Sequence, residues 1–314
     1  MARNDESSLD LAARAGWLYY VGGKTQDQIA KELSVSRQRA QRMVARALAE
    51  GLVRVRLDHP IAALIELENR LIARYGLREC RVAPDPGAGG SPNGAIAGHA
   101  AALLETVLDR VEPQIVAVGT GRAIRAMADA VFAAPSPQHE IASIVGNIGS
   151  DGAATLYDVV MRIAEKRGMR PYPMPVPVVT ASGQERRAFH ALPPVKSVLA
   201  KVASAHAVFV GVGQMSEDAP LVVDGFITPE ERARVARHGA AGEIAGHIYD
   251  AAGQYMESPF HDRVAGQRIM AGDGRLIVGI AAGPAKLVPL RAALTGGLLN
   301  AVVTDERTAS ALLD

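Results

Sequence analysis

Residues 25–50 read TQDQIAKELSVSRQRAQRMVARALAE, and this stretch decides the fold of the N-terminal part of the chain. Thr25 and Gln28 have the spacing of a capping box, in which each side chain satisfies a backbone N–H group at the start of a helix. The break at residues 33–36 supplies Ser36 as the N-cap of a second helix beginning near Arg37. The sequence therefore predicts two short helices joined by a tight turn.

The second helix is expected to have one apolar and one polar face. Its apolar residues recur at the spacing of an amphipathic helix, at Ala40, Met43, Val44, Ala47 and Leu48. At about 100° per residue, long hydrogen-bond donors take the opposite face, its flank and the first turn, namely Arg37, Gln38, Arg39, Gln41, Arg42 and Arg46. Arginine and glutamine can pair bidentately with guanine and adenine, which is typical of a DNA-reading helix-turn-helix. Thr25 and Gln26, at the start of the first helix, complete the predicted DNA contacts.

The charge around the second helix is one-sided. Between residues 37 and 56 arginine stands at positions 37, 39, 42, 46, 54 and 56, whereas Glu50 is the one acidic residue. A merely solvated helix face usually mixes both signs, and such a face is the alternative interpretation. Residues 52–57 alternate apolar and basic side chains, which predicts a short β-wing whose Arg54 and Arg56 contact phosphates without reading bases.

Composition places the chain among ordinary globular proteins. It has 314 residues, 48% hydrophobic and 21% charged, which allows two domains and a large core. A net charge of +1 is too small for the whole surface to hold nucleic acid, so DNA contact requires a local patch. The lone Cys80 excludes a disulfide framework and a cysteine-based zinc site. Without a visible signal core or membrane-length apolar segment, we expect a cytoplasmic protein that does not contact a membrane.

Three segments are predicted along the chain. A helix from about residue 8 to 21 completes an all-α winged helix-turn-helix domain over residues 1–58. Residues 59–77 contain a helix that either pairs with a second subunit or packs on the following domain. From residue 78 to 314, apolar strands alternate with helical stretches, which predicts a Rossmann-like α/β domain with a parallel sheet that binds the effector.

The clearest predicted strands are short and apolar, at residues 115–118, 141–145, 207–210, 276–281 and 301–303. Prolines at positions 171, 173, 175 and 177 predict an extended crossover that cannot be helical. Residues 85–93 combine glycine and proline, and we therefore expect a loop there.

Glycine-rich turns follow three of these strands. The GTGR turn opens a helix whose free N–H groups, hydroxyl and cation favour an anion such as a sugar phosphate; its residues are Gly119, Thr120, Gly121 and Arg122. The other two turns supply Gly146 and Asn147, and Gly211, Gly213 and Gln214. All three should gather at the carboxyl edge of one sheet, where open α/β sheets bind ligands. A tight turn also needs glycine for packing alone, and that alternative stays open.

Two further positions are candidate effector contacts. Lys286 begins a helix, where the dipole disfavours a cation unless an anion joins it, and Asp250 ends an apolar stretch. A solvated lysine and a turn aspartate are the alternative. The sequence has no GxSxG, HExxH or Walker lysine, and its eight histidines lack metal-ligand spacing. We therefore expect no cofactor and no catalytic or metal-binding residues.

Several segments carry a family resemblance together: residues 25–53, VAVGTGRAI, GNIGSDGAATLYDVVMRIAEKRG, AVFVGVGQ, EIAGHIYDAAGQ and GPAKLVPLRAALTGGLLNAVVTDERTASALL. With them the chain resembles the SorC family of bacterial sugar-responsive transcriptional regulators over essentially its full length. The resemblance implies a winged helix-turn-helix fused to an effector domain similar to sugar-phosphate isomerases, assembled as a dimer or tetramer. Recognition residues carry over to positions 37–39, 41 and 42, and effector contacts to the GTGR and GVGQ turns, Asp250 and Lys286. The chain departs from the family pattern at Gln214 and at residues 147–149.

The favoured hypothesis is a DNA-binding regulator of a carbohydrate or polyol catabolic operon, controlled by a sugar phosphate or polyol in its C-terminal domain, and the choice between repressor and activator stays open. One helix-turn-helix covers too few base pairs for specificity, so a homodimer or homotetramer and a near-palindromic operator are expected. One alternative is a sugar-phosphate isomerase or hydrolase with an appended DNA-binding domain, for which Asp250 is the candidate base. The other is an oligomerisation module without a ligand.

Overall fold

The computed structural model describes residues 8–53, 61–149, 152–154 and 158–314 of the chain. The chain forms two compact units, Met1–His59 and Pro60–Asp314. The division lies one residue beyond the predicted end of the winged domain at residue 58. An N-terminal helical unit followed by a parallel-sheet unit confirms the predicted α/β fold class.

The first unit packs three helices around a small apolar core: α1 Ser8–Tyr20, α2 Gln26–Glu32 and α3 Arg37–Ala49. Both predicted caps are present. The Gln28 N–H donates to the Thr25 hydroxyl at 3.4 Å, and the Thr25 N–H donates to Gln28 Oε1 at 2.8 Å. Ser36 begins α3 by accepting a hydrogen bond from the Arg39 N–H at 3.2 Å. The caps fix where the two helices start, and hence the turn between them.

Helices α1 and α3 approach closely at Gly16. A Cβ atom there would lie 2.7 Å from both Ala47 Cβ and Val53 Cγ2, so a side chain would force the helices apart. Leu48, predicted to belong to the apolar stripe, is instead 48% exposed. Eight residues at 100° each place Leu48 about 80° around the helix from Ala40, at the edge of the face that meets α1.

The predicted linker helix is α4, Ala62–Tyr75, and it packs on the second unit. Its Tyr75 hydroxyl donates to the Leu312 carbonyl at 2.9 Å, and its Glu68 carboxylate accepts a hydrogen bond from the Val82 N–H at 2.9 Å. The sequence allowed this helix either to pair with a second subunit or to pack on the following domain, and the structure shows it packed on the following domain.

The strands and helices of the second unit alternate along most of its length. The described strands are β1 Glu79–Ala83, β2 Ile115–Val118, β3 Glu140–Ile148, β4 Arg170–Pro177, β5 Ala207–Gly211, β6 Gly213–Gln214, β7 Ala240–Ile244, β8 His247–Asp250, β9 Leu276–Ile280 and β10 Ala301–Asp305. The helices are α5 Pro92–Leu108, α6 Arg122–Ala130, α7 Val159–Arg167, α8 Gly183–Ala191, α9 Pro193–Ala203, α10 Pro220–Val223, α11 Pro229–Arg237, α12 Leu287–Thr295 and α13 Glu306–Leu313. A 3-10 turn, Pro284–Lys286, leads into α12.

Seven of these strands form one parallel sheet in the order β1-β10-β9-β5-β2-β3-β4. Alternate residues of β2 belong to two different apolar clusters: Ala117 to one, Val116 and Val118 to the other. This alternation is expected of a parallel sheet that helices cover on both faces. The order places β5, β2 and β3 side by side, and the three predicted glycine-rich segments lie at the carboxyl ends of these strands.

Three predictions about individual segments need correction. Strand β3 continues to Ile148, so Gly146 and Asn147 lie within the strand and not in a turn after it. The proline-rich residues 171–177 are the edge strand β4 and not a crossover, because an edge strand tolerates residues without an N–H donor. The predicted loop at 85–93 ends at Ser91, which caps α5 by accepting from the Gly94 N–H at 3.2 Å.

A small antiparallel sheet of order β6-β7-β8 was not predicted, because its strands are too short for a clear periodic signal. The turn between β7 and β8 consists of Ala245 and Gly246, both at positive φ, 53° and 82°. These φ values suit a two-residue hairpin, and the conformation is costly for Ala245, which carries a Cβ atom. The turn brings the end of β7 to the carboxyl edge of the large sheet.

Candidate functional site

A cavity opens at the carboxyl edge of the large sheet, where the turns after β2 and β5 lie next to each other. It has a volume of about 130 Å³ and is lined by the whole GTGR turn, residues 210–213, Lys286, Asn93, Asp224 and Glu243, among others. We call it the effector cavity. The prediction that the glycine-rich turns gather at one sheet edge agrees with this arrangement.

The GTGR turn forms one wall of the effector cavity. The Gly119 N–H donates to the Phe209 carbonyl at 2.8 Å, and Gly121 adopts a φ of 108°, which strongly favours glycine. The Thr120 hydroxyl is buried and has no hydrogen-bond partner among the described residues. Because buried polar atoms are nearly always hydrogen-bonded, Thr120 is well placed to bind a polar ligand or water.

Lys286 forms another wall, and its ammonium group donates a hydrogen bond to Gln214 Oε1. Burial lowers the pKa of Lys286, and the nearby carboxylates of Glu243 and Asp218 oppose that shift. Lys286 and Gln214 were both predicted as effector contacts, and the structure brings their side chains together. Gln214 itself joins the cavity only through this contact, since it is not one of the lining residues.

Glu243 was not predicted, although its carboxylate faces the same cavity. Its Oε2 atom accepts a hydrogen bond from the Gly246 N–H at 2.8 Å, and burial raises the pKa of its carboxyl group. A Cβ atom at position 213 would lie 1.9 Å from Glu243 Oε1. A side chain at position 213 would therefore require the Glu243 side chain to move from its position beside the second glycine of GVGQ.

Asp224 is the second acidic residue that the sequence did not reveal. It follows α10, and its Oδ1 atom accepts from the Arg122 guanidinium at 3.2 Å. The Asp224 side chain is mostly buried, whereas the Arg122 side chain is about half exposed. No local sequence pattern predicts that Asp224 reaches the GTGR turn, because the two residues are far apart in the chain.

Asp250 does not line the effector cavity, so the structure does not bring it together with the other predicted effector contacts, and its contact with the effector stays a prediction. Its carboxylate accepts hydrogen bonds from the Ala252 and Gln254 N–H groups, both at 2.9 Å, and closes the turn after β8. The hairpin turn begins β8 at the cavity, and three further residues at about 3.3 Å each carry Asp250 roughly 10 Å away along the strand. The turn aspartate that the sequence left as an alternative is the observed arrangement.

Gly146 and Asn147 line a smaller neighbouring cavity of about 70 Å³, together with Thr120, Ser143 and Asp158. The Asn147 Oδ1 atom is buried without a hydrogen-bond partner among the described residues. A Cβ atom on Gly146 would lie 2.5 Å from the Val176 carbonyl oxygen, so glycine here permits the close approach of β4. Asn147 is thus the residue of this pair that offers a polar group to a ligand.

In the first unit, the predicted recognition residues lie on the exposed surface of α3. Arg37 forms an ion pair with Asp27 at 3.5 Å, and Arg46 forms one with Glu50 at 3.5 Å. Arg39 and Arg42 form no ion pair with a described carboxylate, and Gln38 and Gln41 are exposed beside them. Thr25 uses its side chain in the capping box, and Gln26 is half-buried next to it. The predicted wing residues Arg54 and Arg56 lie outside the described residues.

No group of three or more His, Cys, Asp or Glu side chains in the described ranges is arranged to hold a metal ion. None of the described helices is long and apolar enough to cross a membrane.

A helix-turn-helix with exposed arginines, followed by a parallel-sheet domain with a polar cavity, defines a ligand-responsive transcriptional regulator. Residues 59–314 match the family model "Putative sugar-binding domain", and residues 15–60 match that of the MarR family. The chain belongs to the SorC family of sugar-responsive bacterial transcriptional regulators, which confirms the resemblance carried by its sequence segments.

Individual relatives extend over the full chain. It is 37% identical over 314 residues to the erythritol catabolism regulatory protein EryD of Brucella abortus (strain 2308), covering 100% of this chain and 98% of that one. It is 30% identical over 312 residues to the transcriptional regulator LsrR of Enterobacter sp. (strain 638), covering 97% and 93%. The full-length sorbitol operon regulator SorC from Klebsiella pneumoniae has the same fold, with a TM-score of 0.73, 22% identity and complete coverage of both chains.

Proposed function

We propose that the chain regulates a carbohydrate or polyol catabolic operon and that its effector is a neutral polyhydroxylated molecule bound in the effector cavity. The names of two relatives, which refer to erythritol catabolism and to a sorbitol operon, support a polyol. The proposal narrows the sequence-based expectation, which allowed either a sugar phosphate or a polyol.

The observation that carries the proposal is the pairing of charges in the cavity. Arg122 is held by Asp224 at 3.2 Å, and Lys286 lies in the field of the Glu243 and Asp218 carboxylates. A phosphate ester brings a charge of about −1.5 to −2, and it would have to displace Asp224 from Arg122 while lying near Glu243. Neutral hydroxyl groups can instead accept from the cations and donate to the carboxylates at the same time.

The remaining lining fits the carbon skeleton of such a molecule. Val145, Val212, Leu221 and Phe226 contribute apolar surface, while the Thr120 hydroxyl adds an unsatisfied polar group. An apolar lining with a few placed polar groups is the usual composition of a small-molecule site. The arrangement therefore suits a short polyol chain, with its C–H groups on one side and its hydroxyls on the other.

We further propose that α3 reads operator DNA in the major groove and that the protein acts as a homodimer or homotetramer on a near-palindromic site. The exposed Arg39 and Arg42, which have no described acidic partner, support the first part. A two-fold pair of recognition helices doubles the number of base pairs that are read, which supports the second.

The test uses DNA that the full-length protein selects from a randomised pool. Its affinity for the protein is measured by fluorescence anisotropy with erythritol, ribitol, sorbitol and the phosphate ester of each. We expect one of the neutral polyols to change DNA affinity by about five- to 150-fold, because allosteric coupling usually lies in that range. If the phosphate esters act at lower concentrations than the polyols, the effector class is wrong. If no DNA is enriched, the DNA-binding assignment fails.

We infer that the cavity has no catalytic role, and the names of the relatives as transcriptional regulators support this. The carboxyl group best placed to act as a general base there is Glu243, and not Asp250. Incubation with ribose 5-phosphate should give no turnover. Turnover that a Glu243→Gln variant abolishes would instead support the enzyme alternative.

A further inference from the structure

A second polar cavity lies at helices α8 and α9 and shares no lining residue with the effector cavity. Its polar lining comes from α8, from the first residue of β8 and from residues 261–268, and we call it the histidine–arginine cavity; it includes Arg186, His190, His247, His261, Gln267 and Arg268. Nothing in the sequence pattern singled out these residues, because they are far apart along the chain.

Three polar atoms of this cavity are buried and lack a hydrogen-bond partner among the described residues. They are Arg186 Nε, His247 Nδ1 and Gln267 Oε1. His247 is only 3% exposed, so bulk water does not readily satisfy its ring. Buried polar atoms are nearly always hydrogen-bonded, so three unpartnered atoms around one cavity indicate that a polar molecule completes them.

The role of each histidine follows from its hydrogen bonds. His247 Nε2 lies 3.2 Å from the Gly266 carbonyl and donates to it, which leaves Nδ1 of a neutral ring as an acceptor. Burial is the main cause that lowers the pKa of His247 to about 3 and that of His261 to about 4. His261 Nε2 accepts from the Ile248 N–H at 2.7 Å. Both rings are therefore neutral near pH 7, and His247 Nδ1 requires a donor.

The charges of the cavity are unlike those of the effector cavity. Neither Arg186 nor Arg268 forms an ion pair with a described carboxylate, and the one acidic lining residue, Asp262, is exposed, as Arg268 also is. The Arg268 guanidinium lies 4.7 Å from the centre of the Tyr255 ring, which holds it at the cavity. Two guanidinium groups without carboxylate partners favour a carboxylate or phosphate, which they can bind with paired hydrogen bonds.

We propose that the histidine–arginine cavity is a second ligand site for a small anion that carries hydroxyl groups, as a sugar acid or a sugar phosphate does. The anionic group binds Arg186 and Arg268, and hydroxyl groups donate to His247 Nδ1 and Gln267 Oε1. His247 directly follows the Ala245–Gly246 turn, whose residues line the effector cavity and whose Gly246 N–H holds Glu243. A ligand here therefore acts next to the effector cavity without entering it. The proposal does not depend on which molecule the effector cavity binds.

The test is isothermal titration calorimetry of the full-length protein with D-erythronate, ribose 5-phosphate, inorganic phosphate and butyrate. Butyrate has the charge and chain length of erythronate without its hydroxyl groups. We expect erythronate or ribose 5-phosphate to bind, and butyrate and inorganic phosphate to bind at least tenfold more weakly. The stronger of the first two identifies a carboxylate or a phosphate as the anionic group.

Variants then locate the bound anion. Arg186→Gln and Arg268→Gln should each weaken binding at least tenfold, whereas Arg187→Gln, an exposed neighbour on α8, and Arg122→Gln, in the effector cavity, should not. The far-UV circular dichroism of each variant establishes that it is folded. The proposal is overturned if neither hydroxylated anion binds, if butyrate binds equally well, or if Arg187→Gln or Arg122→Gln weakens binding as much as Arg186→Gln.

Discussion

The recognition helix α3 and the effector cavity both contain arginine or lysine, but they treat these charges in opposite ways. On α3, Arg39 and Arg42 are exposed and have no described carboxylate partner. In the cavity, Arg122 is paired with Asp224, and Lys286 lies near Glu243. We propose that the compensation of charge, more than the number of charges, distinguishes a surface that binds polyanionic DNA from a cavity that binds a neutral molecule.

Solvent affects the exposed arginines of α3 and the buried groups of the second unit differently. Exposed arginines keep their hydration until DNA arrives, and salt screens their attraction to phosphates over a distance of about 10 Å at 0.1 M. The buried groups of the second unit have lost hydration already, so their charge states depend on their neighbours. We therefore expect salt to control DNA binding and pH to control the stability of the second unit.

The largest expected effect is the loss of stability in acid. It tests whether buried ionisable groups control how the stability of the second unit depends on pH. The pKa values of His247 and His261 fall from 6.5 to about 3 and about 4 on folding. Between pH 6.5 and about pH 4 the unfolded chain therefore binds more protons than the folded chain does. The stability that the two neutral histidines contribute is complete above pH 6.5 and is lost as the pH falls towards 4. At pH 5 the loss is about 2 kcal/mol per histidine, because one pKa unit corresponds to about 1.4 kcal/mol.

Urea unfolding at pH 7 and pH 5 measures this loss. Far-UV circular dichroism follows the whole chain, and the single tryptophan, Trp17, reports on the first unit. We expect the circular dichroism midpoint to fall more than the Trp17 midpoint. His261→Gln should reduce the pH dependence, whereas His238→Gln, at an exposed histidine, should leave it unchanged. If the circular dichroism and Trp17 midpoints shifted equally in acid, the expectation that pH acts mainly on the second unit would be contradicted.

The next effect concerns the exposed arginines of α3. Arg39→Ala and Arg42→Ala should each lower affinity for the selected DNA by about 1–3 kcal/mol and relax the preference at one base position. Lys31→Ala, an exposed charge on α2, is the matched control and should cost much less. Fluorescence anisotropy against a panel of single-base variants measures both quantities. A uniform loss across the panel would mean that these arginines contact phosphates only.

A comparable or smaller effect is expected for Lys286. Lys286→Met removes the donor to Gln214 and the cation of the effector cavity, and it should abolish the response of DNA binding to the polyol effector. The lost response is the coupling itself, about 1–3 kcal/mol. Lys196→Met, at an exposed position on α9, should respond like the parent. A Lys286→Met protein with an unchanged dose–response curve would show that the effector binds elsewhere.

The smallest effect tests the pairing of Arg122. Asp224→Asn leaves the shape of the site nearly unchanged and releases the guanidinium, so the affinity for polyol phosphates should rise by about 1 kcal/mol, the upper range for a partly exposed ion pair. The affinity for the neutral polyol should fall or stay constant in the same calorimetric titration. If phosphate binding does not improve, charge compensation by Asp224 is not what excludes phosphates.

The first unit could be predicted in detail because its determinants are local in sequence. The Thr25 capping box and the Ser36 N-cap lie within a few residues of the groups that they bind. Strand β2 was predicted with its observed bounds, since four apolar residues followed by a glycine turn are also a local signal. The gathering of turns at the sheet edge followed from a general property of parallel sheets, without knowledge of any contact.

The effector cavity could be predicted only in part. Asp250 and Glu243 belong to the same hairpin, and their positions depend on which end of it meets the large sheet. The pairing of β6 with β7 decides this, and the two-residue strand β6 gives no periodic signal. Asp224 is likewise brought to Arg122 by the packing of segments about a hundred residues apart. Contacts of this kind arise from tertiary packing, which one sequence does not display.

Both edge strands of the large sheet have lost backbone donors that a further strand would use. In β4, prolines at alternate positions 171, 173, 175 and 177 remove one of the two rows of backbone donors, while the intervening residues remain able to pair with β3. At the opposite edge, Glu68 of α4 already occupies the Val82 N–H group of β1. An incoming strand would therefore find fewer free donors at each edge, and most clearly at β4, which disfavours edge-to-edge pairing. We therefore propose that contacts between subunits use helices and loops rather than the edges of this sheet.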